Sequence, residues 1–180
     1  MPAPKKLLDC ALQYLALGLL PAPMDPRDSG PFRPLVRIGK ERPSEADVIS
    51  WFVNPVPGLG VLLGKVSGIL VLELTDGPFG DKEIDGIKGP SINLIGDFEQ
   101  RFYRYPSNLS RVSMFSELRP GVKLLADDAF IPLPPTVWPW EIKEELPWYG
   151  LSDEDTDPRV FPELPEDFWA LTDAAWATRT

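Results

Sequence analysis

The stretch Ser67-Gly68-Ile69-Leu70-Val71-Leu72-Glu73-Leu74 sets the terms for any fold this chain can adopt. From Ile69 to Leu72 it is apolar without alternation, the pattern of a strand buried on both faces, so it reads as a central strand. A second β-like run, Gly58 to Leu63, precedes it and is joined to it by Gly64-Lys65-Val66. A doubly covered strand needs a layer on each side, and helical patterns elsewhere supply one. The fold class is therefore α+β, with a mixed central sheet flanked by a few helices. Glu73 is the anomaly, a carboxylate near the end of the most hydrophobic segment.

A carboxylate at a buried strand end, with further acids in the following loop, is a common way to hold a divalent cation. Glu73 and Asp76 fit that outline. Side chains alternate along a strand, so a clean pair wants positions 73 and 75, and residue 75 is Thr75. Asp76 joins Glu73 only if the strand has ended and the loop turns back. The plain alternative is an exposed acid at a strand end.

Composition excludes much other chemistry. Histidine is absent, which removes a Ser-His-Asp triad, a Cys-His pair, a His-ligated zinc and a His general base. The one cysteine, Cys10, rules out an intramolecular disulfide and a thiolate cage; set among leucines, it reads as a buried thiol of a cytoplasmic protein. Oxygen-ligated Mg²⁺ or Mn²⁺ is the common metal chemistry left. No apolar run approaches the ~20 residues of a membrane span, and Asp9 and Gln13 interrupt the stretch from Leu7 to Leu20, against a secretory signal.

The net charge of −9 is unevenly placed. Residues 137–180 carry 11 acids and 3 bases, whereas residues 1–136 carry 16 acids and 15 bases. An acidic chain argues against nucleic-acid binding, but here that argument applies to the tail and not to the near-neutral body. The 22 prolines and few amides (Asn54, Asn93, Asn108, Gln13 and Gln100) fit stiff loops, as in a thermophile.

Apolar residues at Leu7, Leu8, Ala11, Leu12, Leu15 and Ala16 predict a helix, with Gly18 as its C-cap. Leu19 to Pro23 reads as a short or edge strand and residues 24–43 as a long loop. Ser44 is an N-cap with Asp47 at the capping-box position, opening a helix that Asn54-Pro55 ends. Residues 76–90 read as loop. Strands are predicted at Ser91 to Ile95 and Arg101 to Tyr105, with Arg111 to Phe115 and Val122 to Leu125 as candidate further strands; Phe130 to Leu133 leads into Pro134-Pro135-Thr136, and Phe161 to Leu171 has room for one short helix.

Two further clusters attract phosphate. In Gln100-Arg101-Phe102-Tyr103-Arg104-Tyr105, alternation puts Arg101, Tyr103 and Tyr105 on one face, where arginine beside tyrosine can hold phosphates and stack bases. Snorkelling arginines on a half-buried strand are the plain alternative. In Gly64-Lys65-Val66-Ser67-Gly68, a Gly-rich turn carries a lysine that can bind phosphate but lacks the spacing of a P-loop, and a plain hairpin turn is the commoner reading. The tail holds Trp138, Trp140, Trp148, Trp169 and Trp176, and Phe161-Pro162-Glu163-Leu164-Pro165 reads as a docking turn. Two regions follow: 1–136 as the α+β body and 137–180 as an acidic Trp/Pro-rich extension wrapped on it.

The order of these segments resembles the N-terminal domain of the bifunctional primase-polymerases, in the archaeo-eukaryotic primase superfamily. The family's opening helix and Pro-containing strand correspond to Ala11 to Pro21, and its helix ending in tryptophan to Val48-Ile49-Ser50-Trp51-Phe52. Its most specific block corresponds to Pro57 through Glu73, and its closing Pro-Pro strand to Phe130 through Thr136. Leu164 through Trp169 resembles a helix that often follows.

The resemblance implies a primase-polymerase-like fold, DNA primase or polymerase ancestry, and DNA, nucleotide or a replication protein as partner, with Mg²⁺ or Mn²⁺ if active. It also exposes departures. Where the family has Asp-x-Asp/Glu, this chain has Glu73-Leu74-Thr75; its histidine position reads Arg101-Phe102-Tyr103; its third aspartate is Lys123. One carboxylate is replaced by glutamate, two are lost, and cations stand where metals sat. The expectation is a cleft formed by Glu73, Arg101 and Lys123 that binds ligand with nucleotidyl transfer lost or impaired. Its residues are Glu73 and Asp76 at the catalytic position, Glu73 as metal ligand, and Lys65, Arg101, Tyr103, Arg104 and Lys123 for nucleotide or nucleic acid. Two alternatives stand beside it. One is an active primase-polymerase using Glu73, Asp76 and Asp127 or Asp128. The other is an interaction module worked by the acidic tail. The sequence leaves oligomeric state open.

Overall fold

The computed structural model describes residues 7–27, 32–38, 42–54, 56, 58–75, 90–93, 98–107, 116–119, 121–136, 158–165 and 168. Helix α1 spans Leu7–Ala16, and the buried Cys10, Ala11 and Tyr14 mark its inward face. It stops in a Schellman motif. Gly18 takes φ +99°, its N–H reaches Leu15 O at 3.0 Å, and Leu19 N–H reaches Tyr14 O at 3.0 Å. Helix α2, Glu45–Trp51, opens on a full capping box, Asp47 N–H to Ser44 Oγ and Ser44 N–H to Asp47 Oδ2. Among the described residues, no helix is long and apolar enough to cross a membrane.

Among the described residues, eight strands follow in chain order: β1 Leu20–Met24, β2 Gly58–Leu62, β3 Ile69–Thr75, β4 Ser91–Asn93, β5 Phe98–Arg104, β6 Ser116–Arg119, β7 Val122–Leu125 and β8 Phe130–Pro132. They form a small sheet, β1-β2-β8, and a larger one, β4-β5-β3-β7-β6. The fold is α+β, and β3 is central in the larger sheet. The single mixed sheet read from the sequence is instead two sheets, and every pairing between these strands is antiparallel.

The reason lies in the link between β2 and β3. These strands do not form a hairpin. Gly64 at φ +94° and Gly68 at φ +67° redirect the chain from one sheet into the other. The chain crosses back between β7 and β8, and the crossings lie side by side, Leu63 N–H bonding Ala129 O at 2.7 Å.

Prolines place β1 at an edge. Pro23 offers its carbonyl to Leu35 N–H at 2.8 Å, away from β2, so the missing proline N–H costs no ladder bond. At the other end of the small sheet Thr136 is fully buried. Its hydroxyl accepts from Leu59 N–H at 2.8 Å and donates to Leu59 O at 2.7 Å, fixing the Pro-Pro-Thr segment against β2.

The main core gathers residues from both helices (Ala11, Tyr14, Val48), from β2 (Leu59, Val61), from one face of the larger sheet (Ile69, Val71, Phe102, Leu125) and from Ile131 and Phe161. The sheet's other face carries Leu70, Leu72, Tyr103 and Leu124, covered by Leu164 and Phe168. Ile69 to Leu72 are at most 1% exposed, each contributing roughly 1.5–3 kcal/mol by burial. The residues covering that face come from beyond position 157, so the sequence division at 136 separates segments that share cores.

Residues 158–165 complete the sheet edge. Strand β5 outruns β4: Phe102 N–H goes to Pro90 O, and Arg104 N–H goes to Pro162 O at 2.8 Å. Phe161 packs edge-on against Phe102 at 6.1 Å between centroids. A 3-10 turn, Pro158–Val160, leads into this segment. The strand read at Arg111 to Phe115, the loop 76–89, five of the tryptophans and residues 166, 167 and 169–171 of the stretch read as holding a short helix lie outside the described residues.

Candidate functional site

The polar end of β3 is the one place where a row of charged and amide side chains crosses the larger sheet among the described residues. Glu73 is in register with Gln100 on β5 and with Lys123 on β7, which puts all three on one face. Lys123 Nζ lies 3.2 Å from Glu73 Oε1, and Gln100 Nε2 donates to Glu73 Oε2 at 3.3 Å. Gln100 is 1% exposed, and its Oε1 has no hydrogen-bond partner among the described residues. Glu117 stands at the next register position on β6. The same face turns apolar two residues earlier, at Val71, Phe102 and Leu125.

Each Glu73 oxygen thus already takes an N–H, one from an ammonium. An ion pair whose lysine is 41% exposed contributes little to stability, about 0–1 kcal/mol, but it cancels the charge a divalent cation would seek. No group of three or more Cys, Asp or Glu side chains among the described residues stands close enough to hold a metal ion. The described residues therefore do not fit a two-ion centre, which needs several convergent carboxylates. Asp76 lies outside the described residues.

Arg101 does not join this row. It is in register with Leu72, one position from Glu73, and an offset of one residue sends a side chain to the opposite face. There its Nε and Nη2 grip Glu99 Oε1 and Oε2 at 2.9 and 3.0 Å, and the side chain is 14% exposed. The guanidinium, helped by the Ser91 hydroxyl, holds the Glu99 carboxyl below the usual range against the opposing effect of burial. The cleft of Glu73, Arg101 and Lys123 read from the sequence is thus two residues on one face and one on the other.

Tyr103 shares the Arg101 face but is fully buried, so it offers no ring surface for a base to stack on. Burial pushes its phenol up to about 12, partly countered by Arg101. Arg104 lies on the Glu73 face but opposite Ile69, at the far end of β3. Its Nε and Nη2 both bond Glu163 Oε1, at 3.0 and 2.6 Å. Lys65 sits in the β2–β3 turn, where its own N–H donates to Asp127 Oδ1 at 3.0 Å. The backbone donor read as a phosphate cradle already holds a carboxylate.

Asp127 is the residue that sequence reasoning misplaced most. It follows β7 and meets the turn that precedes β3, so it sits at the opposite end of that strand from Glu73 and cannot share a cation with it. Its second oxygen accepts from Tyr105 Oη at 2.7 Å. A Cβ on Gly64 would lie 2.5 Å from Asp127 Oδ1 and 2.6 Å from its Cα, so this close approach needs glycine. Gln100 carried a signal that could have been read: alternation puts it on the face of Phe102, in a strand with few other neutral polar residues. No model of a known protein family matches this chain, and no curated protein matches it.

Proposed function

We propose that this chain is a cytoplasmic, replication-associated domain of primase-polymerase type that binds nucleic acid and has lost most or all nucleotidyl transfer. The observation that carries the reading is the Lys123 ammonium 3.2 Å from Glu73, at the strand end where such a fold would place its metal ligands. A cation paired with Glu73 there leaves that carboxylate little charge with which to hold Mg²⁺ or Mn²⁺. The near-neutral charge of residues 1–136 supports the binding half of the reading, since the excess of acid sits beyond them.

Primer synthesis with Mn²⁺ and labelled nucleotides tests it, alongside binding of a labelled single-stranded oligonucleotide. The expected result is salt-sensitive binding with incorporation at background, unchanged in Glu73→Ala. Incorporation that Glu73→Ala abolishes would overturn the loss of catalysis, and a chain that binds no oligonucleotide would overturn the binding.

A further inference from the structure

From Phe32 to Ile38 burial alternates residue by residue. Phe32, Pro34, Val36 and Ile38 are half-buried, whereas Arg33, Leu35 and Arg37 are exposed, Leu35 at 55%. Phe32, Val36 and Ile38 pack onto Ala22, Met24 and Phe130 of the small sheet. Leu35 N–H bonds Pro23 O at 2.8 Å, and Pro34 bridges Met24. An Arg-Leu-Arg row therefore faces water from a segment seated on the edge of β1.

The other described cations are nearly all engaged. Arg27 holds Asp25, Arg101 holds Glu99, Arg104 holds Glu163 and Lys123 holds Glu73. Arg42 donates to Leu15 O near the end of α1. Among the described residues, the Arg33 and Arg37 side chains have no ion-pair or hydrogen-bond partner; the Lys65 ammonium shares that state but stands by itself in the β2–β3 turn. Among the described residues, these two neighbouring guanidiniums are set beside each other with no carboxylate against them. A guanidinium fork matches phosphate geometry, and the two lie within about 14 Å of each other along the chain, a span a short oligonucleotide covers.

We infer that this row contacts the backbone of single-stranded nucleic acid, Arg33 and Arg37 taking phosphates and Leu35 lying against a sugar or base. The inference rests on the binding half of the reading above and adds where the strand lies.

Fluorescence anisotropy of a labelled oligothymidylate of about 12 nucleotides, with the full chain over a salt series, tests it. Arg33→Gln/Arg37→Gln is compared with Arg27→Gln/Arg159→Gln, which removes the same charge from other exposed positions. The first pair is expected to weaken binding about tenfold at low salt. It should also flatten the log–log salt slope by about 1.4, the share of two phosphates. The control pair should shift affinity less than about twofold, with a slope near wild type. Leu35→Ala should weaken binding with the slope unchanged. Equal losses in both pairs, or an unaltered slope in the first, overturn this placement while the binding reading stands. A wild-type chain that does not bind the oligonucleotide overturns both.

Discussion

Replacing Phe161 by alanine separates an integral C-terminal segment from a loosely attached one. The ring is 3% exposed and sits edge-on to Phe102, itself fully buried, within the core that also holds Ala11, Val61 and Val71. Truncating a buried phenylalanine costs about 3–5 kcal/mol, of which the aromatic pair supplies roughly 0.5–1.5. The neighbouring Arg104–Glu163 pair is half-exposed on both sides, so Glu163→Gln should cost no more than about 1 kcal/mol. For a domain stable by about 5–15 kcal/mol, the first change removes a large share and the second little. Urea unfolding followed by far-ultraviolet circular dichroism reads both. At a slope of about 2 kcal/mol/M, Phe161→Ala should lower the midpoint by about 1.5–2.5 M and Glu163→Gln by less than about 0.5 M. A Phe161→Ala midpoint within about 0.3 M of wild type would refute the reasoning, because the segment could then leave without cost to the body.

Gly64→Ala should destabilise by more than about 2 kcal/mol, since φ +94° strains any Cβ and that Cβ would overlap Asp127; Gly68→Ala, at φ +67° with nothing within 4 Å, should cost only about 1–2, and denaturant midpoints would show the order. Tyr103 should titrate above the ordinary range of a phenol by absorbance at 295 nm. Its phenol is raised by burial from 10.0 to about 12, so the neutral form is favoured by folding. That contribution is full below pH 10 and lost as pH rises through about 12; Tyr103→Phe should flatten the alkaline fall in stability over that window.

Local signals proved legible because local physics fixes them. The α1 stop at Gly18, the Ser44–Asp47 box, the proline-marked edge at β1 and the central burial of β3 each depend on a few neighbouring residues and their intrinsic geometry. Sheet membership was not legible. The runs before and after Gly64-Lys65-Val66 look like the arms of a hairpin, and only the two positive φ values, which many hairpin turns also use, send them into different sheets. Strand β6, Ser116-Glu117-Leu118-Arg119, has no apolar excess to announce it, and its pairing with β7 supplies what its sequence lacks.

Site residues divide along the same line. Alternation correctly put Arg101 and Tyr103 on one face and Phe102 and Arg104 on the other, but it cannot say which face of β5 adjoins Glu73 on β3. That depends on register, and a shift of one residue exchanges the two sets. The register that aligns Gln100 with Glu73 puts Arg101 against Leu72, and so replaces an arginine beside the carboxylate with an amide. Asp127 fails as a metal ligand for a related reason. A carboxylate has ligand capacity only after its local donors are counted, and Asp127 spends one oxygen on the Lys65 N–H and the other on Tyr105. Those donors come from segments 62 and 22 residues away in the chain. The same count, applied to cations, is what singles out Arg33 and Arg37: among the described residues no carboxylate takes their charge, while Arg101 and Arg104, richer in sequence signal, are consumed by Glu99 and Glu163.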